Sequence, residues 1–257
     1  EPSQERKLDR ELPDTLEVLT ALRVCGECKH GTAEFRRIGD TANAGAGPSD
    51  GGYLMCESVL SAARAAISVG IESRDGWGSA LAVDYRVPVF QFDCTGRAPP
   101  CAVPGRKEST GRCGNLTRFH SVCVASDTQR AHTRSMTLRE MATTALAGGD
   151  LATERALLLK VDPEGAEVGA LEAASDDGTL ASVSSIAVEI HRIGSGRLGC
   201  HYAEAEDPLG PVVQRAHPRI ASMLRKLLRD FRVVHVHGNI LTQRAHLAHF
   251  ACPLWSN

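Results

Sequence analysis

No apolar run in this sequence approaches the ~20 residues that a membrane-spanning helix needs, and the first stretch, EPSQERKLDRELPD, is charged. A bilayer span within these residues is therefore excluded. Neither sign of charge dominates: 29 Lys and Arg stand against 31 Asp and Glu, a formal net charge of -2, which removes the bulk electrostatic reason to bind nucleic acid or an anionic membrane. The residues that follow Gly70, Ile71–Gly78, form neither a G-x-G-x-x-G fingerprint nor a G-x-x-x-x-G-K-[ST] loop, so dinucleotide and P-loop nucleotide sites are disfavoured there. Cys25-x-x-Cys28 has no second Cys-x-x-Cys or His-x-x-x-His at zinc-site spacing. No internal repeat is visible.

What is present suits one large α/β domain. The chain has 257 residues and 42% hydrophobic content, enough for a full core. Its nine cysteines are many for a cytosolic enzyme, and seven crowd into the first half: Cys25, Cys28, Cys56, Cys94, Cys101, Cys113 and Cys123. That count suits two or three disulfides and leaves at least one thiol unpaired or bonded to another chain, a route to an assembly partner. Asn115-Leu116-Thr117 is an N-glycosylation sequon, and together with the cysteines it points to the secretory pathway lumen or the extracellular space, with an organelle or the cytoplasm as the alternative.

The periodicity alternates between strand and helix. Leu16, Val18, Leu19 and Leu22 fit one helical face in a lead-in segment. The Gly- and Ala-rich stretch Asp40–Tyr53 reads as loop. Strands are expected at Ala65–Ile71, Val87–Cys94, within Arg118–Asp127, at Leu157–Val161, around Ala187–Ile190, and in Phe231–Asn239. Helices are expected at Ser135–Ala147 and Arg219–Asp230. Residues 96–114, rich in Pro, Gly and Arg, are too polar for core and longer than ordinary connections, which marks an insertion or lid. The division expected is an extension over 1–34 and a domain over 35–257. A doubly wound, mostly parallel sheet is the fold class this alternation implies.

In such sheets ligands bind outside the carboxyl ends of the strands, so polar residues that end apolar runs are site candidates. Gly70 closes the first such run with a residue that lets backbone approach a ligand, or serves as an ordinary turn glycine. Asp93 closes the second and can accept two ribose hydroxyls; Asp127, after Ser126, can read a base; either can instead cap the following helix. Asp162 and Glu189 share one rim if their strands are neighbours, a pairing that suits a divalent cation such as Mg²⁺ or a substrate hydroxyl. His191 points to the same side as Glu189 if the strand persists, and its near-neutral pKa fits a general base. The alternative is a surface ion-pair network with Lys160, Arg192 or Arg197. His235 and His237 alternate in VVHVHGN and read as a structural pair rather than a metal site.

In this order the segments resemble the FkbM-type methyltransferases, class I enzymes that use S-adenosylmethionine, within their methyltransferase-like branch. The resemblance is carried by RRIGD with DGGYLMC, ISVGI with Trp77 downstream, VFQFDCT, FHSVCVASD, MTLREM, LLLKVDPEGAE, SIAVEIHRI and RVVHVHGN, over residues 35–240. KVDPEGAE and VHVHGN are its specific pieces. It implies a Rossmann-like, seven-stranded methyltransferase fold, with Gly70 and its loop toward the methionine part of the cofactor, Asp93 at the ribose, and Ser126 with Asp127 at the adenine. Asp162, Glu189 and His191 would face the acceptor, and Cys25 or Cys28 would bond Cys56. Glu72 departs from the pattern: it stands where the family has a small residue, and its carboxylate would crowd that of the cofactor. The function implied is methyl transfer to the oxygen of a glycan or small hydroxyl compound. The alternative is a subunit that no longer turns over and has a structural or binding role in an assembly.

Overall fold

A computed structural model of the chain describes residues 35–39, 52–71, 74–99, 101, 113–126, 134–146, 155–191 and 219–235. They fall into two compact units, one within 26–189 and the other within 190–257.

The first unit is built on a five-stranded sheet. Its strands are β3 (Ala65–Val69), β4 (Val89–Phe92), β5 (Thr117–His120), β8 (Leu157–Val161) and β9 (Val183–Val188), in the spatial order β5-β4-β3-β8-β9 with every pair parallel. All residues of β3, β4 and β8 are buried, as central parallel strands covered on both faces must be. Two small antiparallel or parallel pairs accompany it: the hairpin β1 (Phe35–Gly39) with β2 (Gly52–Cys56), and β6 (Cys123–Val124) with β7 (Ser135–Met136). No helix among the described residues is long and apolar enough to cross a membrane.

Alternation along the strands sorts the core. Ala66, Val89 and Leu158 lie on one face of the sheet. There they join Ile38 and Met55 of the hairpin, Leu60 of α1 (Glu57–Ala62), Trp77 of α2 (Gly76–Ala80), and Leu81 of the π-helical turn that follows. Trp77 is seated by a hydrogen bond from its Nε1 to Met55 Sδ, 3.3 Å. Ile67, Val69, Phe92, Leu159 and Val161 of the opposite face are equally buried. Helix α3 (Leu138–Ala145) packs on β3 and on α4 (Glu167–Asp176). Its start is fixed by a capping box in which Thr137 and Glu140 satisfy each other's backbone N–H.

Among the described residues the parallel sheet has five strands, not seven. The single strand expected within Arg118–Asp127 is two. After His120 the chain makes a three-residue turn, with Val122 N–H donating to His120 O at 2.9 Å, and Cys123–Val124 then pair with Ser135–Met136 in another ribbon. The strand expected around Ala187–Ile190 begins earlier, at Val183, and ends at Val188. The β1–β2 hairpin and α4 were not apparent from periodicity.

Disulfides join Cys94 to Cys123 and Cys101 to Cys113. The second closes the base of the expected 96–114 insertion. Cys56 is disulfide-bonded as well, and the expected partners Cys25 and Cys28 lie outside the described residues.

In the second unit, α5 (Ile220–Asp230) buries Ile220, Met223, Leu224 and Leu227, the i, i+3, i+4, i+7 face of an amphipathic helix. Residues Phe231–His235 form no strand, so the alternation argument does not apply to His235; His237 lies outside the described residues.

Candidate functional site at the carboxyl rim of the sheet

The chain runs outward from β3 through β4 to β5, then returns to the other side of β3 for β8 and β9. The reversal falls between β3 and β8, and in open parallel sheets the carboxyl side of such a switch point is where ligands bind. Gly70, Asp93, Asp162 and Glu189 all sit at that rim, directly after β3, β4, β8 and β9.

Gly70 has φ +71, a conformation that costs a non-glycine residue energy. A Cβ there would also run into the Asp162 carbonyl and come within 2.7 Å of Pro163 N. Glycine is thus demanded by the close approach of β8's end. The strand ladder continues through the rim: Gly70 N–H donates to Phe92 O at 3.1 Å, Asp162 N–H to Val69 O at 3.0 Å, and Glu189 N–H to Val161 O at 3.1 Å.

Asp93 is buried and collects four donors. Ile71 N–H reaches Oδ2 at 2.8 Å, while Thr95 N–H (2.7 Å), Thr95 Oγ1 (2.8 Å) and Gly96 N–H (2.8 Å) reach Oδ1. Burial by itself raises its pKa, but the hydrogen bonds from Gly96, Thr95 and Ile71 together outweigh it and hold the carboxylate below its ordinary range. One carboxylate therefore ties the Gly70–Ile71 turn to the loop after β4. A carboxylate has about four lone-pair positions. With three donors on Oδ1, a ribose would meet Asp93 at the edge shared with Ile71.

The side chain that sequence reasoning missed is Lys160. It was expected only as a partner in a surface ion-pair network, yet it is 7% exposed. Its Nζ donates to Gly70 O and to Asp162 Oδ2, each at 3.0 Å, and stands 6.0 Å from the centre of the Tyr53 ring. The ion pair is real but buried. The signal was a lysine inside LLLKV, between Leu159 and Val161 in a strand with no exposed position. Register places Lys160 beside Ser68 and Ser68 beside Gln91 on the same face. Gln91 Nε2 donates to Asp75 Oδ2 at 2.8 Å, and Asp75 Oδ1 caps α2 by accepting from Gly78 N–H at 2.8 Å. Ser68 Oγ, fully buried in the middle of this polar row, has no hydrogen-bond partner among the described residues.

Asp162 and Glu189 do follow adjacent strands in register, since Val161 pairs with Val188. A divalent ion on Asp162 would meet the Lys160 ammonium already 3.0 Å from the carboxylate, which opposes the metal reading electrostatically. His191 is not aligned with Glu189 by strand alternation, because β9 ends at Val188; it belongs to the second unit. Ser126 is buried two residues after β6. Glu72 and Asp127 lie outside the described residues.

After β8 the rim is a tight turn. Glu164 has φ 52 and Gly165 φ 116, and Gly165 N–H donates to the buried Glu167 carboxylate at 2.6 Å. A non-glycine residue held left-handed stores local strain, a feature that clusters at functional sites. No family model, no curated protein and no solved structure matches the chain.

Proposed function

We propose that the chain is an S-adenosylmethionine-dependent O-methyltransferase of the FkbM type that acts on a hydroxyl of a glycan or small compound. The observation that carries this reading is the parallel order β5-β4-β3-β8-β9, reversed between β3 and β8, with a positive-φ glycine after β3 and an acid after β4 linked through Ile71 N–H. A Rossmann-like class I sheet uses the same order, and its cofactor lies over the ends of the two strands that correspond to β3 and β4. Gly70 and Ile71 would hold the methionine part, Asp93 Oδ2 one ribose hydroxyl, and Ser126 with Asp127 the base.

When bound, the cofactor supplies an electrophilic methyl group. The protein needs to orient the acceptor oxygen in line, exclude water and take one proton. Asp162 is the best placed to orient or deprotonate an acceptor hydroxyl, its carboxylate held by the Lys160 ammonium at 3.0 Å, and Glu189 follows the next strand. The disulfides favour an oxidising compartment, the secretory lumen or the extracellular space.

One specific observation favours a second reading, a methyltransferase-like subunit without turnover. Four internal donors engage Asp93, and Lys160 neutralises Asp162, so both acids already stabilise the fold. Calorimetric titration with S-adenosylhomocysteine separates the two. The enzyme reading expects saturable binding by the parent protein. It also expects retained binding but lost methyl transfer in Asp162→Asn, assayed on a panel of glycans and small hydroxyl compounds. A folded parent protein that does not bind the ligand overturns it in favour of the structural subunit.

A further inference from the structure

Asn115-Leu116-Thr117 is the one N-x-[ST] triplet in the chain, and the methyltransferase reading leaves it unused. Asn115 sits in the middle of a short 3₁₀ turn, Gly114–Leu116, with its side chain in the exposed class, and Thr117 opens β5. Space is ample: next to Asn115, a Cβ built on Gly114 would meet nothing within 4 Å. The residue before the turn, Cys113, is 2% exposed and bonded to Cys101, so the turn is anchored in the core at one end and in the sheet at the other. Two disulfides among the described residues mark a chain oxidised in a compartment where N-glycosylation also takes place.

We propose that Asn115 carries an N-linked glycan whose structural role is to shield the edge of the sheet. In the transfer, Asn115 Nδ2 bonds to the anomeric carbon of a lipid-linked oligosaccharide; the bond from that carbon to the lipid diphosphate breaks, the diphosphate leaves with the electron pair, and Nδ2 gives up one proton. Among the described residues β5 pairs only with β4 and is the edge strand of the sheet, and the edge of a sheet is where association with another chain is invited. The turn that bears Asn115 is at the amino end of this edge strand. The candidate site is at the carboxyl ends, and the four residues of β5 alone separate the two levels by roughly 13 Å. A glycan here covers the edge without covering the rim.

The test is expression of the full chain behind a cleavable secretory signal in mammalian cells, with recovery of protein whose Cys101–Cys113 bond is intact. Treatment with peptide N-glycosidase should increase mobility and convert Asn115 to aspartate in the tryptic peptide. Asn115→Gln and Thr117→Ala should abolish the shift, whereas Thr117→Ser, which keeps the sequon, should retain it. Folded protein deglycosylated enzymatically should associate more than the glycoprotein by light scattering. Disulfide-bonded lumenal protein with unmodified Asn115 overturns the assignment, as does a shift that survives Thr117→Ala. Equal association with and without the glycan overturns the shielding role. None of these readouts depends on methyl transfer.

Discussion

Replacing Gly70 with Ala tests whether the switch point is packed as tightly as described. The control is Gly178→Ala: Gly178 has φ +81, close to the +71 of Gly70, but a Cβ there meets no atom within 4 Å. Both substitutions incur the left-handed backbone cost, about 1–2 kcal/mol. Both also recover roughly 0.4–1 kcal/mol because Ala narrows the unfolded ensemble. Only at Gly70 does the new methyl meet backbone, the Asp162 carbonyl and Pro163 N, which no rotamer change can relieve. Overpacking of that kind costs about 1–3 kcal/mol more. Gly178→Ala should therefore lower stability by about 1 kcal/mol or less, and Gly70→Ala by about 2–4 kcal/mol. Urea titration followed by circular dichroism measures both, provided the slope with denaturant is unchanged. Equal losses would mean that the two strand ends are not in contact, and the account of Gly70 would fail.

Four further outcomes follow from the same features. Lys160→Met should cost about 2–4 kcal/mol, the range for leaving one partner of a buried pair uncompensated, reduced because Asp162 retains some solvent contact; a neutral result in the same titration would show that the pair is solvated. Removing the Cys94–Cys123 bond by the double Ser variant should cost about 3–4 kcal/mol for a separation of 29 residues and increase hydrogen exchange at the Thr95 and Gly96 amides that Asp93 holds, and unchanged exchange would show that the disulfide does not order that loop. Burial first, and then the Arg118 charge, depresses the pKa of His120, so the unfolded chain binds its proton more readily: stability should be full above about pH 6.5, fall as pH drops through the folded value, and then level off. Asp93 repeats the pattern below its ordinary 3.8, and urea midpoints against pH for the parent, His120→Gln and Asp93→Asn should lose these respective steps.

The sequence made the central sheet legible because three of its strands, AAISV, VFQF and LLLKV, are buried on both faces and therefore almost continuously apolar. Asp162 and Glu189 were legible as strand-end acids because an apolar run precedes each, whereas the pairing of β8 with β9 was only a condition of that reading and β9 is half-buried and begins earlier, at Val183. Less was legible where local geometry decides. The turn at Ser121–Val122 divides an apolar run without glycine or proline to mark it, and the hairpin takes β2 partly from the stretch that read as loop and β1 from a segment with no strand expectation. The site was legible as a set of strand-end acids but not as a network. That Lys160 would turn inward, and that Thr95 and Gly96 would fill one oxygen of Asp93, depends on contacts between residues far apart in sequence.

The hydrogen bond from Lys160 to Gly70 spans 90 residues of chain. Everything between, including β4, β5, the Cys94–Cys123 and Cys101–Cys113 bonds and the Asn115 turn, is an excursion that departs from β3 at Gly70 and returns beside it in β8. Closing so long a loop is slow, but its entropic cost grows only with the logarithm of length, about 0.6 kcal/mol for each doubling. The clasp therefore constrains the size of the excursion very little. It constrains where the excursion ends, and insertions such as the one around residues 96–114 can lengthen the path while leaving the seam in register.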